Sequence, residues 1–282
     1  MIVADSREFA FGNADFERVR ELIHGRVGIA LAPAKRDMVY SRLVRRLRNL
    51  GLDSFSNYLD RLSDPKSPEW ESFTNALTTN LTSFFRESHH FEMLAQHLLK
   101  QPRGATIKLW SSAASTGEEP YSMAITAIET FGTETPPVRI LATDVDTQVL
   151  AAAERGVYPL ERLERLSEER RRRYFRRGTG SMEGYCRVIE PLRRLISFRP
   201  LNLLDPRWPM RGPFAAVFCR NVMIYFDKPT QHRLLERIAP MLTPDGLLFA
   251  GHSESFFHAA DVVTSVGRTV YRRASAGKTA CT

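Results

Sequence analysis

The sequence lacks the features that mark membrane, secreted and disulfide-rich proteins. No apolar run in its 282 residues approaches the roughly 18–20 residues that a membrane span requires. No basic N-terminal segment is followed by an apolar stretch, so no secretory signal is predicted. Cysteine is scarce, and Cys186, Cys219 and Cys281 include no CxxC pair, so neither a disulfide framework nor a zinc site is predicted. These absences predict a cytoplasmic protein.

Lysine is also scarce, although positive charge is not. The sequence has 40 basic and 32 acidic residues, and 34 of the basic residues are arginine. Guanidinium groups favour planar, bidentate contacts with carboxylates or phosphates. A nucleic acid, a membrane surface and an acidic protein all remain possible partners at this point.

Residues 1–98 have the pattern of a helical N-terminal domain. Apolar residues at helical spacing predict helices over Ala14–Gly25 and Lys35–Leu50, and Gly51 is placed to end the second. That second helix carries four arginines outside its apolar stripe, which are Arg42, Arg45, Arg46 and Arg48. They form either a solvated face or a docking surface for an acidic partner.

Residues 99–282 have the pattern of an α/β domain. Short β-rich runs alternate with helical stretches, which predicts a mostly parallel sheet with helices on both faces. The last two runs, Val262–Ser265 and Thr269–Arg272, predict a terminal antiparallel hairpin. The alternation breaks at about 178–200, where Tyr185–Ile189 and Leu195–Phe198 predict a small antiparallel β-subdomain inserted in the core.

Two strand ends point to a nucleoside ligand. The loop that leads into Glu118 has small residues and a single glycine, and two acids at the helix entry disfavour phosphate. The alternative is that these acids only offset the helix dipole. Asp144 ends the next strand, where an acid can bind a ribose diol or simply belong to a helix cap. A glycine-poor loop with a ribose-binding acid favours S-adenosylmethionine over NAD.

Two further polar clusters are candidates for the site. Asn80, Thr82 and Arg86 surround a Phe-Phe pair, although helix capping and a surface ion pair would also explain them. His89 and His90 follow, but no third ligand stands at a recognisable spacing, so no metal is predicted. Asn221 ends a central strand without the proline that amino-methyltransferases carry there, which disfavours methylation of amines.

Six motifs together resemble one known family. In chain order they are LTTNLTSFFRESHHF, SSAASTGEEPYSMAI, ILATDVDTQVLAAAERGVY, FRPLNLLD, FCRNVMIYFDKPTQ and LTPDGLLFAGHSESF. They resemble the chemotaxis receptor glutamate methyltransferases, the CheR family, over about residues 15–272. The resemblance implies a helical N-terminal domain and a class I S-adenosylmethionine-dependent methyltransferase core with a small inserted β-subdomain. It also implies S-adenosyl-L-methionine as methyl donor, S-adenosyl-L-homocysteine as product and receptor glutamates as acceptors.

The resemblance also implies roles for individual residues. The implied donor contacts are Asn80, Thr82, Arg86, Glu118, Asp144, Asn202, Leu203, Arg220 and Asn221. Arg86 and Tyr225 are the residues implied near the transferred methyl group. The segment RRGTGSMEGYCRV resembles members that also bind a short tail at the receptor C-terminus. With receptors as partners, the arginines of the second helix become a candidate docking face for glutamate-bearing helices.

Three rival functions are compatible with parts of the sequence. A nucleic-acid methyltransferase would fit the charge and the core, but not the missing proline pair. A module that senses S-adenosylmethionine without turnover would need neither Tyr225 nor the basic helix. An NAD oxidoreductase would require the absent GxGxxG loop. We therefore predict a monomeric protein-glutamate O-methyltransferase that binds no nucleic acid and does not insert into a membrane.

Overall fold

A computed structural model describes residues 7–102 and 104–274. The chain forms two compact units. The first comprises the described residues up to Thr79 together with Val145–Thr147, and the second comprises Asn80–Asp144 and the described residues from Gln148 onwards. No helix in the described ranges has the length and apolar character needed to cross a membrane.

The first unit is helical, as predicted. Its helices are α1 (Asn13–Val27), α2 (Arg36–Leu50), α3 (Phe55–Asp60) and α4 (Glu69–Leu77), with a 3-10 turn at Pro33–Lys35 before α2. The glycines Gly28 and Gly51 end α1 and α2 in the left-handed conformation, at φ values of 74° and 62°. Apolar faces of the helices meet in one core, which includes Val19, Ile23, Leu43, Leu47 and Phe73.

The second unit is built on a seven-stranded sheet, with a separate three-stranded sheet. The strands are β1 (Ile107–Ser111), β2 (Val138–Asp144), β3 (Val157–Pro159), β4 (Phe175–Arg177), β5 (Tyr185–Val188), β6 (Ile196–Pro200), β7 (Phe214–Phe218), β8 (Leu242–Phe249), β9 (Val263–Gly267) and β10 (Val270–Arg273). The large sheet has the order β6-β2-β1-β7-β8-β10-β9. The first five strands of that order, from β6 through β2, β1 and β7 to β8, run parallel to one another. Strand β10 is antiparallel to β8, and β9 is antiparallel to β10. The predicted parallel sheet and terminal hairpin are confirmed.

Helices of the second unit connect and cover the strands. They are α5 (His89–Leu99), α6 (Glu118–Phe131), α7 (Thr147–Arg155, which begins in the first unit), α8 (Glu168–Tyr174), α9 (Glu190–Arg193) and α10 (Lys228–Ile238). All five residues of β7 are buried, which explains why its sequence FAAVF is continuously apolar rather than alternating. Cys186 and Cys219 are buried free thiols, and Cys281 lies outside the described residues.

The structure divides the chain at Thr79/Asn80, whereas the expected boundary lay at 98/99. The difference arises from α5, whose helical pattern resembles that of the helices before it. Its apolar residues Phe91, Leu94 and Leu98 are buried in the core of the large sheet, so α5 belongs to the second unit.

The small sheet also differs from the expected insertion at about 178–200. Its order is β3-β5-β4 with antiparallel pairing, so it draws on residues from Val157 to Val188. The run at Leu195–Phe198 does not join it. Instead, β6 pairs in parallel with β2 at the edge of the large sheet, where Ile140 lies opposite Ile196. A short apolar run fits either sheet, so the sequence pattern does not decide between them.

Candidate active site

The candidate site lies where four neighbouring parallel strands end. Ser111 at the end of β1 lies opposite Ala142 of β2 and Phe218 of β7, and Asp144 lies opposite Pro200 of β6. The polar residues after these strands therefore share one edge of the sheet, where open α/β sheets bind ligands. The edge carries these predicted site residues: Glu118, Asp144, Asn202, Leu203, Arg220 and Asn221.

The loop between β1 and α6 is held against the end of β2. The Ser115 N–H donates to Asp144 Oδ2 at 2.8 Å, with Ser115 in the left-handed region at φ 49°. Gly117 precedes α6 at φ 98°, and a Cβ there would lie 2.8 Å from both Ala153 Cβ and Tyr158 Oη. Only glycine fits this position, which explains the single glycine of the loop.

Glu118 is the first residue of α6 and is fully buried. Its Oε2 accepts a hydrogen bond from Thr116 Oγ1 at 2.6 Å. Its Oε1 accepts no hydrogen bond from the described residues, and Arg162 Nη1 lies 3.7 Å away. Burial raises the pKa of Glu118, against the opposing effects of the Thr116 hydrogen bond and Arg162. A buried carboxylate oxygen without a donor is suited to accept a hydrogen bond from a ligand.

The predicted residues of segment 80–88 are brought to the same edge. Three hydrogen bonds to backbone carbonyls tie this segment down: Ser115 Oγ to Asn80 at 3.3 Å, Arg162 Nη1 to Thr82 at 3.2 Å, and Arg220 Nη2 to Arg86 at 2.5 Å. The Arg86 side chain is half-buried, and its Nη1 donates to the Leu81 carbonyl at 2.9 Å. The motif LTTNLTSFFR thus reaches the strand ends even though it lies before β1 in the chain.

Arg220 follows β7, and its guanidinium is almost fully buried among acidic side chains. Its Nη1 donates to Glu119 Oε2 at 2.9 Å, and its Nη2 lies 3.5 Å from Glu87 Oε2. Glu119 also accepts from Ser111 Oγ at 2.8 Å. The guanidinium therefore compensates two buried carboxylates. Sequence analysis missed Glu87 and Glu119, because nothing in a linear motif indicates a contact across 101 residues.

Asn221 and Tyr225 belong to a turn that a third missed residue, Glu254, holds in place. Asn221 is left-handed at φ 58°, and its N–H donates to Glu254 Oε2 at 3.0 Å. Glu254 also accepts from the backbone N–H groups of Ile224 and Gly251. Tyr225 ends a 3-10 turn and is half-buried, and none of the described residues forms a hydrogen bond with its hydroxyl.

Asn202 and Leu203 differ in what they offer to a ligand. Asn202 Oδ1 accepts from the Leu204 N–H at 3.0 Å, which shapes the turn after β6. The Leu203 side chain is buried in the core, and its carbonyl accepts from Arg237 Nη1 at 3.0 Å. Leu203 therefore has a packing role in addition to any contact with a ligand.

The histidine pair has a third possible metal ligand that the sequence spacing did not indicate. Ligand atoms of Glu87, His89 and His90 lie within 4.8 Å of one another. Burial, Arg220 and His89 lower the pKa of His90 to about 3, so its ring is neutral. Burial would raise the pKa of Glu87, but Arg220 and hydrogen bonds from His252 lower it overall. The nearby guanidinium already supplies the positive charge that Glu87 requires.

This edge, its strand order and its acidic loop define a class I S-adenosylmethionine-dependent methyltransferase. Residues 80–272 match the family model described as "CheR methyltransferase, SAM binding domain", and residues 14–78 match "CheR methyltransferase, all-alpha domain". The chain therefore belongs to the CheR methyltransferase family.

Two relatives show how far the similarity extends. The chain is 54% identical to "Chemotaxis protein methyltransferase 2" of Pseudomonas aeruginosa over 95% of this chain and 96% of that protein. It is 51% identical to "Chemotaxis protein methyltransferase" of Escherichia coli K12 over 96% of this chain and 94% of that protein. The family resemblance of the six motifs is thereby confirmed.

Proposed function

We propose that this protein transfers the methyl group of S-adenosylmethionine to glutamate side chains of chemotaxis receptors, forming glutamyl methyl esters. The observation that carries the proposal is the set of hydrogen bonds that ties segment 80–86 to the strand ends: Ser115 binds both Asp144 and the Asn80 carbonyl, and Arg220 binds the Arg86 carbonyl. The names of the relatives, which identify them as chemotaxis protein methyltransferases, support chemoreceptors as the acceptors.

The donor residues fit the chemistry of S-adenosylmethionine. Glu118 Oε1, which accepts no hydrogen bond from the described residues, and the Asp144 carboxylate offer acceptors for ribose hydroxyl groups or a cationic group. Two acids at the start of α6 disfavour a pyrophosphate, which this ligand lacks. We propose that Asn80, Thr82, Arg86, Asn202, Leu203, Arg220 and Asn221 complete the donor site, with Arg220 acting through its backbone because its guanidinium is engaged by Glu119 and Glu87.

The proposed reaction needs no general base. A glutamate has a reference pKa of about 4.3, so its carboxylate is already the nucleophile at neutral pH. Bound S-adenosylmethionine supplies an electrophilic methyl group on a sulfonium. The protein then has to exclude water and align the carboxylate oxygen with the carbon–sulfur bond. Arg86 has N–H donors beyond the one bound to Leu81, and these can orient the carboxylate.

Tyr225 is the second proposed catalytic residue. Its hydroxyl has no partner among the described residues, so it is available to hydrogen-bond the acceptor. Comparison of Tyr225→Phe with Tyr225→Ala separates this bond from packing by the ring. A loss of turnover in both variants indicates a hydrogen-bonding role, whereas a loss in Tyr225→Ala alone indicates packing.

A radiolabelling experiment tests the proposed reaction. Enzyme and receptor-containing membranes are incubated with S-adenosylmethionine labelled on its methyl group, and labelled protein is then treated with mild base. We expect base-labile label that is released as methanol and that falls strongly in Arg86→Ala. Base-stable label would contradict the ester assignment, and full turnover of Arg86→Ala at saturating substrates would contradict the role of Arg86.

The arginine face of α2 is a proposed receptor-docking surface, but its four arginines are not equivalent. Arg46 forms a bidentate pair with Glu69 at 2.8 and 2.9 Å, and Arg48 pairs with Glu8. Arg42 donates to the carbonyls of Ala76 and Thr78. Arg45 is exposed and forms no ion pair with any described residue. Arg45 is therefore the position at which receptor docking can be tested without disturbing the helical unit.

Charge reversal at Arg45 tests this docking surface. We expect Arg45→Glu to raise the KM for the receptor and to leave the affinity for S-adenosylhomocysteine unchanged. Arg61→Glu is the matched control, because Arg61 is also an exposed arginine of the first unit with no ion pair in the described chain. An equal rise in KM for both variants would indicate a long-range charge effect and refute a docking role for Arg45.

The three-stranded sheet is the proposed site for a C-terminal receptor tail. Tyr185 of β5 and Met182 of the turn between β4 and β5 are each 43% exposed. The strands β3 and β4 lie at its two edges and can accept an added peptide strand. Removal of the tail from the receptor should lower methylation by wild-type enzyme, and should have no effect if the small sheet has another role.

A further inference from the structure

A large cavity of the second unit includes Arg86 of the candidate site in its wall. Its volume is about 840 Å³, and it is lined by parts of segment 84–95, of α6, of the chain before α8 and of α8 itself, together with His252 and Arg268. Of the predicted site residues, Arg86 alone lines it. The proposed donor contacts at the strand ends do not explain this cavity.

The charges on the cavity wall are unbalanced once internal pairs are removed. Glu129 forms a bidentate pair with Arg170 at 2.7 and 2.9 Å. Glu87 is held by Arg220 and by a hydrogen bond with His252 at 3.1 Å. These carboxylates therefore have little capacity to attract a cationic ligand.

The remaining wall residues are mostly basic. Arg165 and Arg268 are exposed and form no ion pair within the described chain, and the Arg86 guanidinium is bound to a carbonyl rather than a carboxylate. Glu92 is the one acidic side chain of the lining without an ion pair among the described residues. The cavity thus presents three uncompensated positive charges against one negative charge.

The floor of the cavity is aromatic. The Phe85 and Phe91 rings contact each other edge to face, with centroids 4.9 Å apart. The Arg170 guanidinium lies over the Phe85 ring at 4.2 Å, where it also holds Glu129. A floor of this kind can receive apolar side chains, while the arginines at the margin contact acidic ones.

We infer that this cavity binds an acidic, amphipathic segment of the methyl acceptor, next to the glutamate that is methylated. This inference rests on the proposed function. Arg86 belongs both to the proposed reaction centre and to the cavity wall, so an acceptor whose carboxylate reaches Arg86 places its neighbouring residues at the cavity mouth. The volume lies in the range of roughly 300–1,000 Å³ that ligand pockets have, so it accommodates a few side chains rather than a folded domain.

The charge of the cavity wall decides which class of partner we assign to it. A nucleic acid would also be attracted to arginines, but the proposed acceptor is a carboxylate that reaches Arg86, and Arg86 is part of the cavity wall. A glutamate-rich helix is negatively charged both at the glutamate that is methylated and in the residues beside it. One such segment can therefore contact Arg86 and the other arginines of the cavity wall together.

The test is the double charge reversal Arg165→Glu with Arg268→Glu, which leaves every proposed catalytic and donor residue in place. We expect the KM for a receptor methylation-region fragment to rise about tenfold, because two attractions are each replaced by a repulsion. Binding of the same fragment, measured calorimetrically with S-adenosylhomocysteine present, should weaken by the same factor. The kcat and the affinity for S-adenosylhomocysteine should stay at the wild-type level.

The matched control is Arg207→Glu with Arg211→Glu. These two arginines are exposed, form no ion pair in the described chain and lie in the segment that leads into the start of β7, so the control carries the same change in net charge away from the strand ends. A rise in KM confined to the cavity variant supports the inference. Equal effects in both double variants, or no effect in either, would overturn it.

Failure of the proposed function gives a different result. If wild-type enzyme places no base-labile label on the receptor, the proposed reaction is wrong and the inference falls with it. If the wild-type label is base-labile and the cavity variant binds the fragment as tightly as the control variant, the reaction stands and only the cavity assignment is wrong. Raised salt should reduce the difference between cavity and control variants, because exposed charges are screened.

Discussion

Replacement of Arg220 separates a structural role from a role in donor binding. Burial raises the pKa of Glu119, and Arg220 is the principal opposing influence. In Arg220→Met the chain keeps a side chain of similar length, but Glu119 loses the guanidinium at 2.9 Å and retains Ser111 as a donor. Removing one partner of a buried ion pair costs about 3–5 kcal/mol of unfolding free energy, because the other charge stays buried.

The destabilisation of Arg220→Met should grow with pH. Without Arg220, the folded-state pKa of Glu119 moves further above its unfolded value, so the folded variant binds more protons than the unfolded chain. The contribution of Glu119 to the stability of this variant is then fully present below the pKa that Glu119 has in the unfolded chain. It falls by up to about 1.4 kcal/mol per pH unit as the pH rises toward the pKa of Glu119 in the folded variant. The wild type has this carboxylate compensated and should show a flatter profile.

Urea unfolding followed by circular dichroism at pH 6 and pH 8 measures both effects. Arg211→Met is the control, since an exposed arginine without an ion pair in the described chain should change stability by no more than about 0.5 kcal/mol. Arg220→Met with Glu119→Gln should recover part of the loss, because Glu119 is then uncharged and Glu87 keeps its hydrogen bonds with His252. A loss below about 1 kcal/mol in Arg220→Met, with a wild-type pH profile, would refute the ion-pair reasoning.

The same double variant tests the donor role that the family resemblance implies for Arg220. If the guanidinium acts only through Glu119 and Glu87, the double variant should bind S-adenosylhomocysteine nearly as tightly as the wild type once its stability is recovered. Weak binding by a stable double variant would instead assign the guanidinium a direct contact with the donor. The two readouts are independent, because one follows unfolding and the other follows a bound ligand.

Three further variants have expected outcomes of their own. Gly117→Ala should lower the free energy of unfolding by about 3 kcal/mol and weaken donor binding, because the added Cβ would lie 2.8 Å from its neighbours. Gly132→Ala, which has open space around it, should lower the free energy of unfolding by only roughly 1–2 kcal/mol in the same calorimetric measurement. The pKa of His90 is lowered to about 3, so the unfolded chain binds an extra proton at this residue below about pH 6.5. His90 alone should therefore remove about 2 kcal/mol of unfolding free energy between pH 7 and pH 5. His90→Gln should lose less than the wild type over that range, and an equal loss would contradict the assignment to His90. Arg46→Glu should lower the free energy of unfolding by about 3 kcal/mol, because the new carboxylate repels Glu69. An unfolding temperature equal to that of the wild type would contradict this expectation.

Sequence patterns predicted the elements whose signals are local. The apolar stripe of α2 and the glycine after it are visible within twenty residues, and the structure has the helix over Arg36–Leu50 with Gly51 left-handed. The alternation of strands and helices likewise predicted the parallel sheet, because each parallel crossover needs a helix of its own. The strand ends then placed Asp144 and Asn221 at one edge before any contact was known.

The elements that sequence patterns did not predict depend on partners far along the chain. Helix α5 has the same periodicity as the helices of the first unit, and only its contact with the large sheet assigns it to the second. The run at β6 pairs with β2 rather than with the nearby β5, and a short apolar run carries no information about its partner. Glu87, Glu119 and Glu254 were missed for the same reason.

The arginines show why residue type and position are insufficient without contacts. Arg46 and Arg45 are neighbours on α2, yet one is neutralised by Glu69 and the other is exposed. Arg86 and Arg220 belong to different motifs, yet the guanidinium of Arg220 donates to the backbone carbonyl of Arg86, while the Arg86 side chain donates to the Leu81 carbonyl and pairs with no carboxylate of the described residues. A basic composition therefore contains both structural and functional charges, and the pairing of each arginine within the fold decides which charges remain for an acidic acceptor.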